Sequence, residues 1–316
     1  MASTNKFGLS RNIPENIKRQ IRREAGFGCV VCGNAIFQYE HIDPVFSESR
    51  EHDPTRMTLL CAACHDRVTR GFLSKSSVLR AKKNPETKKR GYSFGMFDLC
   101  RVPPIVKLGA IVARNSRSII SAGGQSLLQV KPPEETGAPF RLCARFPSSN
   151  GAEAMIIEDN EWKAGVQNWD VDVVGRTVTI RERHRRIVLQ ITTTPPRLFE
   201  ITRAEIKFAK AALKVFDGSY ELTNGDGSSI RNVPMERIGV YEHPNLISFE
   251  KNGTLVVEEG DPNGVSFMWT RTDANYFPLH LDFAWAAINP CANCPCNSGM
   301  KFSSCHGRFL RTYNSS

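Results

Sequence analysis

The feature that most constrains this chain is a pair of CxxC turns, Cys29-Val-Val-Cys32 and Cys61-Ala-Ala-Cys64, with 28 residues between them. A CxxC turn aims two thiolates at one tetrahedral ion, and two such turns complete a four-cysteine zinc site. The intervening residues must therefore loop out and return. A closed site of four thiolates leaves no coordination position for a substrate, so this zinc is expected to hold the fold and not to be the catalytic centre. The N-terminal stretch MASTNKFGLSRNIPENIKRQIRR has no apolar core of the kind a secretion signal needs. A cytoplasmic setting is expected, in which close cysteine pairs read as metal ligands before they read as disulfides. No run of 18 apolar residues offers a membrane span, and no membrane partner is expected.

At 316 residues, with 41% hydrophobic and 23% charged residues, the chain has the composition of an ordinary globular protein large enough for two domains. The formal charge of +10 is unevenly spread. Residues 1–99 hold 17 Lys/Arg against 10 Asp/Glu, whereas residues 100–280 hold 22 against 21. A locally basic domain attracts a polyanion, nucleic acid being the usual one, although a solubility surface has the same composition.

Residues 14–25 read as a short helix, with Pro14 at its start and Ile17 and Ile21 on one face. A β-like stretch follows at 36–42, and a helix is expected from the second CxxC turn to Gly71. SSVLRAKKNPETKKRG reads as a basic helical connector interrupted by Pro85, and residues 75–99 are taken as a basic solvated linker in preference to a DNA-contacting arm. From about residue 100 the apolar period changes to two, as in Val178 and Ile180, and residues 246–259 read as a hairpin. The stretch 204–216, AEIKFAKAALKVF, could form one helix.

Between the cysteine pairs lies Tyr39-Glu40-His41-Ile42-Asp43-Pro44, and the second pair runs straight into His65. These residues at this spacing resemble the HNH nuclease family, whose core is a zinc-stabilised ββα-metal fold. The resemblance implies that Glu40 and His65 hold a catalytic divalent metal and that His41 is the general base. A neutral imidazole can take a proton from water near pH 7. One carboxylate and one imidazole with open positions suit Mg2+ or Mn2+. Asp43 is a weaker candidate ligand. The family normally has Asn five residues before the third cysteine, to fix the loop that holds the base. Here that position is Arg56, a departure that bears on rate and not on fold. His52 and Asp53 lie nearby, and Arg56 could contact phosphate instead. Arg67 and Arg70 on the following helix are further candidates for nucleic-acid contact.

Near the C-terminus, Cys294-Pro-Cys296-Asn-Ser-Gly-Met-Lys-Phe-Ser-Ser-Cys305-His306 resembles the SEC-C motif, a small zinc hairpin. The resemblance implies that Cys294, Cys296, Cys305 and His306 are the four ligands of a second structural zinc, with Cys291 outside the pattern. Such a hairpin implies an interaction surface.

Other features carry less. Asp159, Glu161, Asp170 and Asp172 beside Trp162 and Trp169 read as scaffold more readily than as a second active site. Arg181, Arg183, Arg185 and Arg186 with His184 could form a basic strand face or a solvated one. Cys100 and Cys143 read as small core residues, and His243 and His280 have no partner pattern.

The expected fold is thus α+β: a nuclease domain over 1–74, the basic linker over 75–99, a β-rich sensor or recognition domain over 100–283, and a zinc tail over 284–316. The expected activity is hydrolysis of DNA phosphodiesters, leaving 5′-phosphate and 3′-hydroxyl ends, with RNA not excluded and a single-strand nick as the natural product. HNH modules fused to a β-rich domain resemble prokaryotic phage-defence or restriction effectors, including Zorya-type and short-Argonaute systems. Protein partners are expected at the tail or the β-rich domain. The alternative is a zinc protein that binds nucleic acid or a partner without cutting.

Overall fold

The computed structural model describes residues 4–257, apart from 100, 115–117, 150, 217, 232–234, 239–244 and 253, together with Lys301. The chain divides into two compact units. The first comprises residues 1–96, 148–155 and 161–187, and the second comprises 97–147, 156–160 and 188–316.

In the first unit, helix α1 (Glu15–Glu24) starts directly after Pro14 and turns Ile21 inward. Strand β1 (Gln38–His41) pairs antiparallel with β2 (Met57–Leu60), so that Glu40 faces Thr58 and His41 faces Met57. Helix α2 (Ala62–Thr69) begins with Cys61 as its N-cap. Met57, Leu59 and Leu60 of β2 pack with Ile21, Val30, Ile42 and three of the four paired cysteines in one core. Strand β2 is buried along its whole length, which is why it carries the apolar Met-Thr-Leu-Leu run and no alternation.

Residues 75–99 form α3 (Lys75–Lys83) and α4 (Glu86–Arg90), helical and interrupted at Pro85 as expected, and then β3 (Tyr92–Met96), so the segment through Met96 belongs to the first unit instead of linking two domains. Val78 of α3 joins the same core, and most of the lysines of the segment face outward. Strand β3 pairs antiparallel with strand Glu161–Gly165, where Trp162 lies opposite Gly95. A Cβ on Gly95 would stand 2.7 Å from the Trp162 indole, so this close approach requires glycine. Strand Asp170–Val174 pairs with strand Thr177–Arg183.

The second unit combines antiparallel meanders with three parallel pairings, of Ile105–Leu108 with Leu198–Phe208, Ile111–Arg114 with Met235–Ile238, and Ser118–Ala122 with Asn245–Phe249. Strands Ser118–Ala122, Gln125–Lys131 and Arg141–Pro147 run in sequence, as do Leu198–Phe208, Ala211–Phe216, Ser219–Thr223 and Ser229–Arg231. The hairpin expected at 246–259 forms between Asn245–Phe249 and Leu255–Val257. The helix expected over 204–216 does not form. Ala204, Ile206, Leu213 and Val215 are buried while Lys207 and Lys214 are exposed, a period of two that sets Ile206 opposite Leu213. Ala209, in the left-handed region at φ 51°, turns the chain between the two strands.

The expected α+β class with a ββα-metal nuclease domain is therefore overturned. Among the described residues twenty strands stand against four α-helices, in a mixed but strand-dominated architecture. The helical patterns are short, ten residues at most, whereas period-two alternation extends from residue 92 onward and reaches back into the first unit through Glu161–Arg183. No helix among the described residues is long and apolar enough to cross a membrane.

Candidate metal centre and its flanking histidines

The first cysteine pair sits in a turn closed by two backbone bonds, Gly33 N–H to Cys29 O at 2.8 Å and Cys29 N–H to Asn34 O at 2.8 Å. Gly33 adopts φ 87°, a conformation glycine reaches without strain. The second pair forms the first turn of α2, where the Cys64 N–H points at Cys61 Sγ at 3.5 Å. Helix N-termini favour negative charge, which suits a thiolate. The ligand atoms of Cys29, Cys32, Cys61 and Cys64 all lie within 4.8 Å of one another.

Four thiols this close cannot all ionise unaided. A hydrogen bond from Cys32, against the cost of burial, holds Cys29 down at about 5. That same bond, together with burial, pushes the Cys32 thiol up, and burial with the neighbouring cysteines pushes Cys64 up to about 12. A divalent cation removes this conflict, and four thiolates at tetrahedral reach match zinc. The cluster is compatible with zinc, as its spacing implied.

Glu40 leaves β1 toward α2, and its Oε2 lies 3.1 Å from His65 Nε2. The side chains are 23% and 38% exposed, so solvent and a ligand can reach both. Burial raises the Glu40 carboxyl above its ordinary range, and the charges of His65 and Lys75 pull part of the way back. Among the described residues only the cysteine cluster brings three or more ligand groups together; Glu40 and His65 supply two.

Neighbouring residues of a strand point to opposite faces, and His41 turns the other way. It is 8% exposed, its ring packs 5.4 Å from the Phe46 ring, and its Nε2 lies 3.1 Å from His52 Nδ1. His52 Nε2 lies 2.9 Å from the carbonyl oxygen of Ser10. A carbonyl only accepts, so the proton of a neutral His52 sits on Nε2 and its Nδ1 is an acceptor. His41 Nε2 must then donate, which leaves Nδ1 as the basic nitrogen of His41. Burial, with the charges of His52 and Arg11, lowers His41 to about 4. No spacing rule points to His52 as the partner of His41, because the two meet only through the path of the loop between them.

The expected phosphate contacts are dispersed. The Arg56 side chain is 61% exposed and pairs loosely with Asp53 at 3.5 Å. Its backbone oxygen, not its side chain, accepts from Ile42 N–H and ties down the end of β1. Arg67 is exposed on α2, and Arg70 pairs with Asp66 at 2.9 Å. Asp43 is also exposed. Cys143 is not a core residue: it is half-buried, with Sγ 3.3 Å from an Asp159 carboxylate oxygen. Asp170 and Asp172, considered for a second active site, both bind Arg22.

The tail ligands Cys294, Cys296, Cys305 and His306 lie outside the described residues, as do Cys100, Cys291, His243 and His280. The comparison with protein families matches the SEC-C motif over residues 292–308, a zinc-binding motif, and gives no support to the HNH resemblance. No curated protein and no solved structure matches the chain.

Proposed function

We propose that the first unit hydrolyses phosphodiester bonds in nucleic acid, DNA above all, in a metal-dependent reaction. The observation that carries this reading is the 3.1 Å approach of Glu40 to His65, a carboxylate and an imidazole held together beside the cysteine cluster, with His41 next in the chain. Glu40 and His65 would hold Mg2+ or Mn2+, and the ion, when bound, would stabilise charge on the phosphate and its leaving oxygen. His41, neutral at pH 7, would take the proton of the attacking water at Nδ1 once its ring turns out from between Phe46 and His52 toward Glu40 and His65. The four cysteines with zinc would hold β2 and α2 in the register that places Glu40 and His65 together. A role in phage defence rests on the sequence resemblance alone.

A second reading, a zinc protein that binds nucleic acid or a partner without cutting it, is favoured by the burial of His41. Nicking of supercoiled plasmid with Mg2+ or Mn2+ separates the two. His41→Ala should lower the rate on the order of a hundredfold while zinc content and DNA binding hold. Glu40→Ala and His65→Ala should lose cleavage through metal affinity and recover in part at raised Mn2+. Wild-type protein that cuts neither DNA nor RNA with any divalent ion supports the second reading.

A further inference from the structure

We propose that the two-residue turn His184-Arg185, with Arg183 and the Trp169–Arg19 stack beside it, is a second nucleic-acid contact that grips the phosphodiester backbone outside the Glu40–His65 pair. The chemistry begins with charge. Arg183 and Arg185 are exposed and carry no carboxylate partner among the described residues, while the acids of the same strands are committed elsewhere. Asp170 takes Arg22 at 2.9 Å and Arg181 at 3.3 Å, Asp172 takes Arg22 at 3.4 Å, and Glu182 takes the Ser149 hydroxyl at 2.7 Å and Arg186 at 3.6 Å. The turn therefore presents unneutralised guanidinium groups, the side chains best shaped for phosphate oxygens.

The surface is also held in place from beneath. Arg22 is 1% exposed and forms a bidentate pair with Asp170, its Nε and Nη2 each 2.9 Å from a carboxylate oxygen. That pair locks α1 onto strand Asp170–Val174. One turn earlier on α1, Arg19 is thereby laid over the Trp169 ring at 4.6 Å, and the His184 ring meets the same indole edge-on at 6.4 Å. Arg185 sits in the left-handed region at φ 61°, which closes the turn in two residues and sets the arginines on either side of His184. A fixed cationic edge with no uncommitted acid of its own fits a polyanion strand, and its contacts carry no base preference.

The inference rests on nucleic acid being the substrate of the first unit, and it is tested by binding, not by cleavage. The probe is a fluorescein-labelled DNA duplex of about two helical turns, titrated with the full chain by anisotropy at several salt concentrations without added Mg2+ or Mn2+. Arg183→Gln with Arg185→Asn, the latter chosen because Asn tolerates positive φ, should weaken binding on the order of tenfold. It should also flatten the log–log salt slope by about two, one for each lost phosphate contact. Arg183→Lys should keep the slope. Lys83→Gln with Lys88→Gln, which removes equal charge elsewhere on the first unit, should change neither quantity comparably. An unchanged affinity and slope in the arginine variant, or an equal fall in the lysine control, overturns the contact whether or not the wild type cleaves. Binding that depends on the arginines in a protein that cuts nothing upholds the contact and overturns only the catalytic reading.

Discussion

At His41, burial together with His52 and Arg11 takes the imidazole from its ordinary 6.5 to about 4. The unfolded chain binds this proton below pH 6.5, whereas the folded chain does not until about pH 4. The unfolded state therefore holds more protons between those values, and His41 removes stability as pH falls through that window and adds nothing above it. Urea midpoints at pH 7.5 and pH 5 should differ less in His41→Phe than in wild type. If His41 is the proposed base, the same shift predicts that cleavage stays level down to about pH 5, where an unperturbed histidine base would already have lost most of its rate. The contact with His52 makes a further distinction: if His41 is the proposed base, His52→Ala should lower cleavage more than Arg56→Asn, because His52 touches His41 and the Arg56 side chain does not. Plasmid nicking by the two variants, at matched zinc content, measures this. The approach of Glu40 to His65 is legible in the sequence because both are metal-ligand residue types beside the cysteine pairs. The tautomer is not, since it is set by a carbonyl of Ser10, 42 residues before His52.

Among the elements, α1 is held by more than its apolar face. Arg22 and Asp170 are 1% and 3% exposed, and removing one partner of such a pair strands the other charge out of water. Arg22→Met should destabilise the first unit by about 3–5 kcal/mol, read as a lowered urea midpoint for hydrogen exchange of the β2 amides. Asp170→Asn should cost less, because the amide still hydrogen-bonds. Cys61→Ser should unfold the same unit outright, because binding free energy at a structural zinc site is folding free energy. Helix α1 and the hairpin at 246–259 are readable from period and turn residues. The stretch 204–216 reads as helix because Ala and Lys favour helix individually, whereas the alternation of Ala204, Ile206, Leu213 and Val215 packs only as strand. The two helices around Pro85 are readable from composition and the proline, whereas their packing into the first unit is not, since Val78 is the one residue of α3 buried in the core and a single apolar position leaves no pattern.

For the whole molecule, the four-cysteine cluster and the SEC-C motif together predict about two zinc ions per chain, each with about four ligands. Elemental analysis should return that value for wild type and one ion fewer for Cys305→Ser, whose motif shares no ligand with the first unit's cluster. The domain limits expected at residues 74 and 99 follow changes in composition. The first unit instead recruits residues 148–155 and 161–187, and nothing in local composition announces pairing between β3 and Glu161–Gly165.

That recruitment has a consequence in time. Arg22 waits for Asp170, 148 residues further along the chain. At a synthesis rate of about 5–20 residues per second, roughly 7–30 s separate the appearance of the two partners. During that interval a nascent chain can gather its four cysteines around zinc, yet α1 lacks its buried ion pair and the Arg19–Trp169 edge does not exist. A ribosome thus delivers the Glu40–His65 pair well before the Arg19–Trp169 edge proposed to contact nucleic acid.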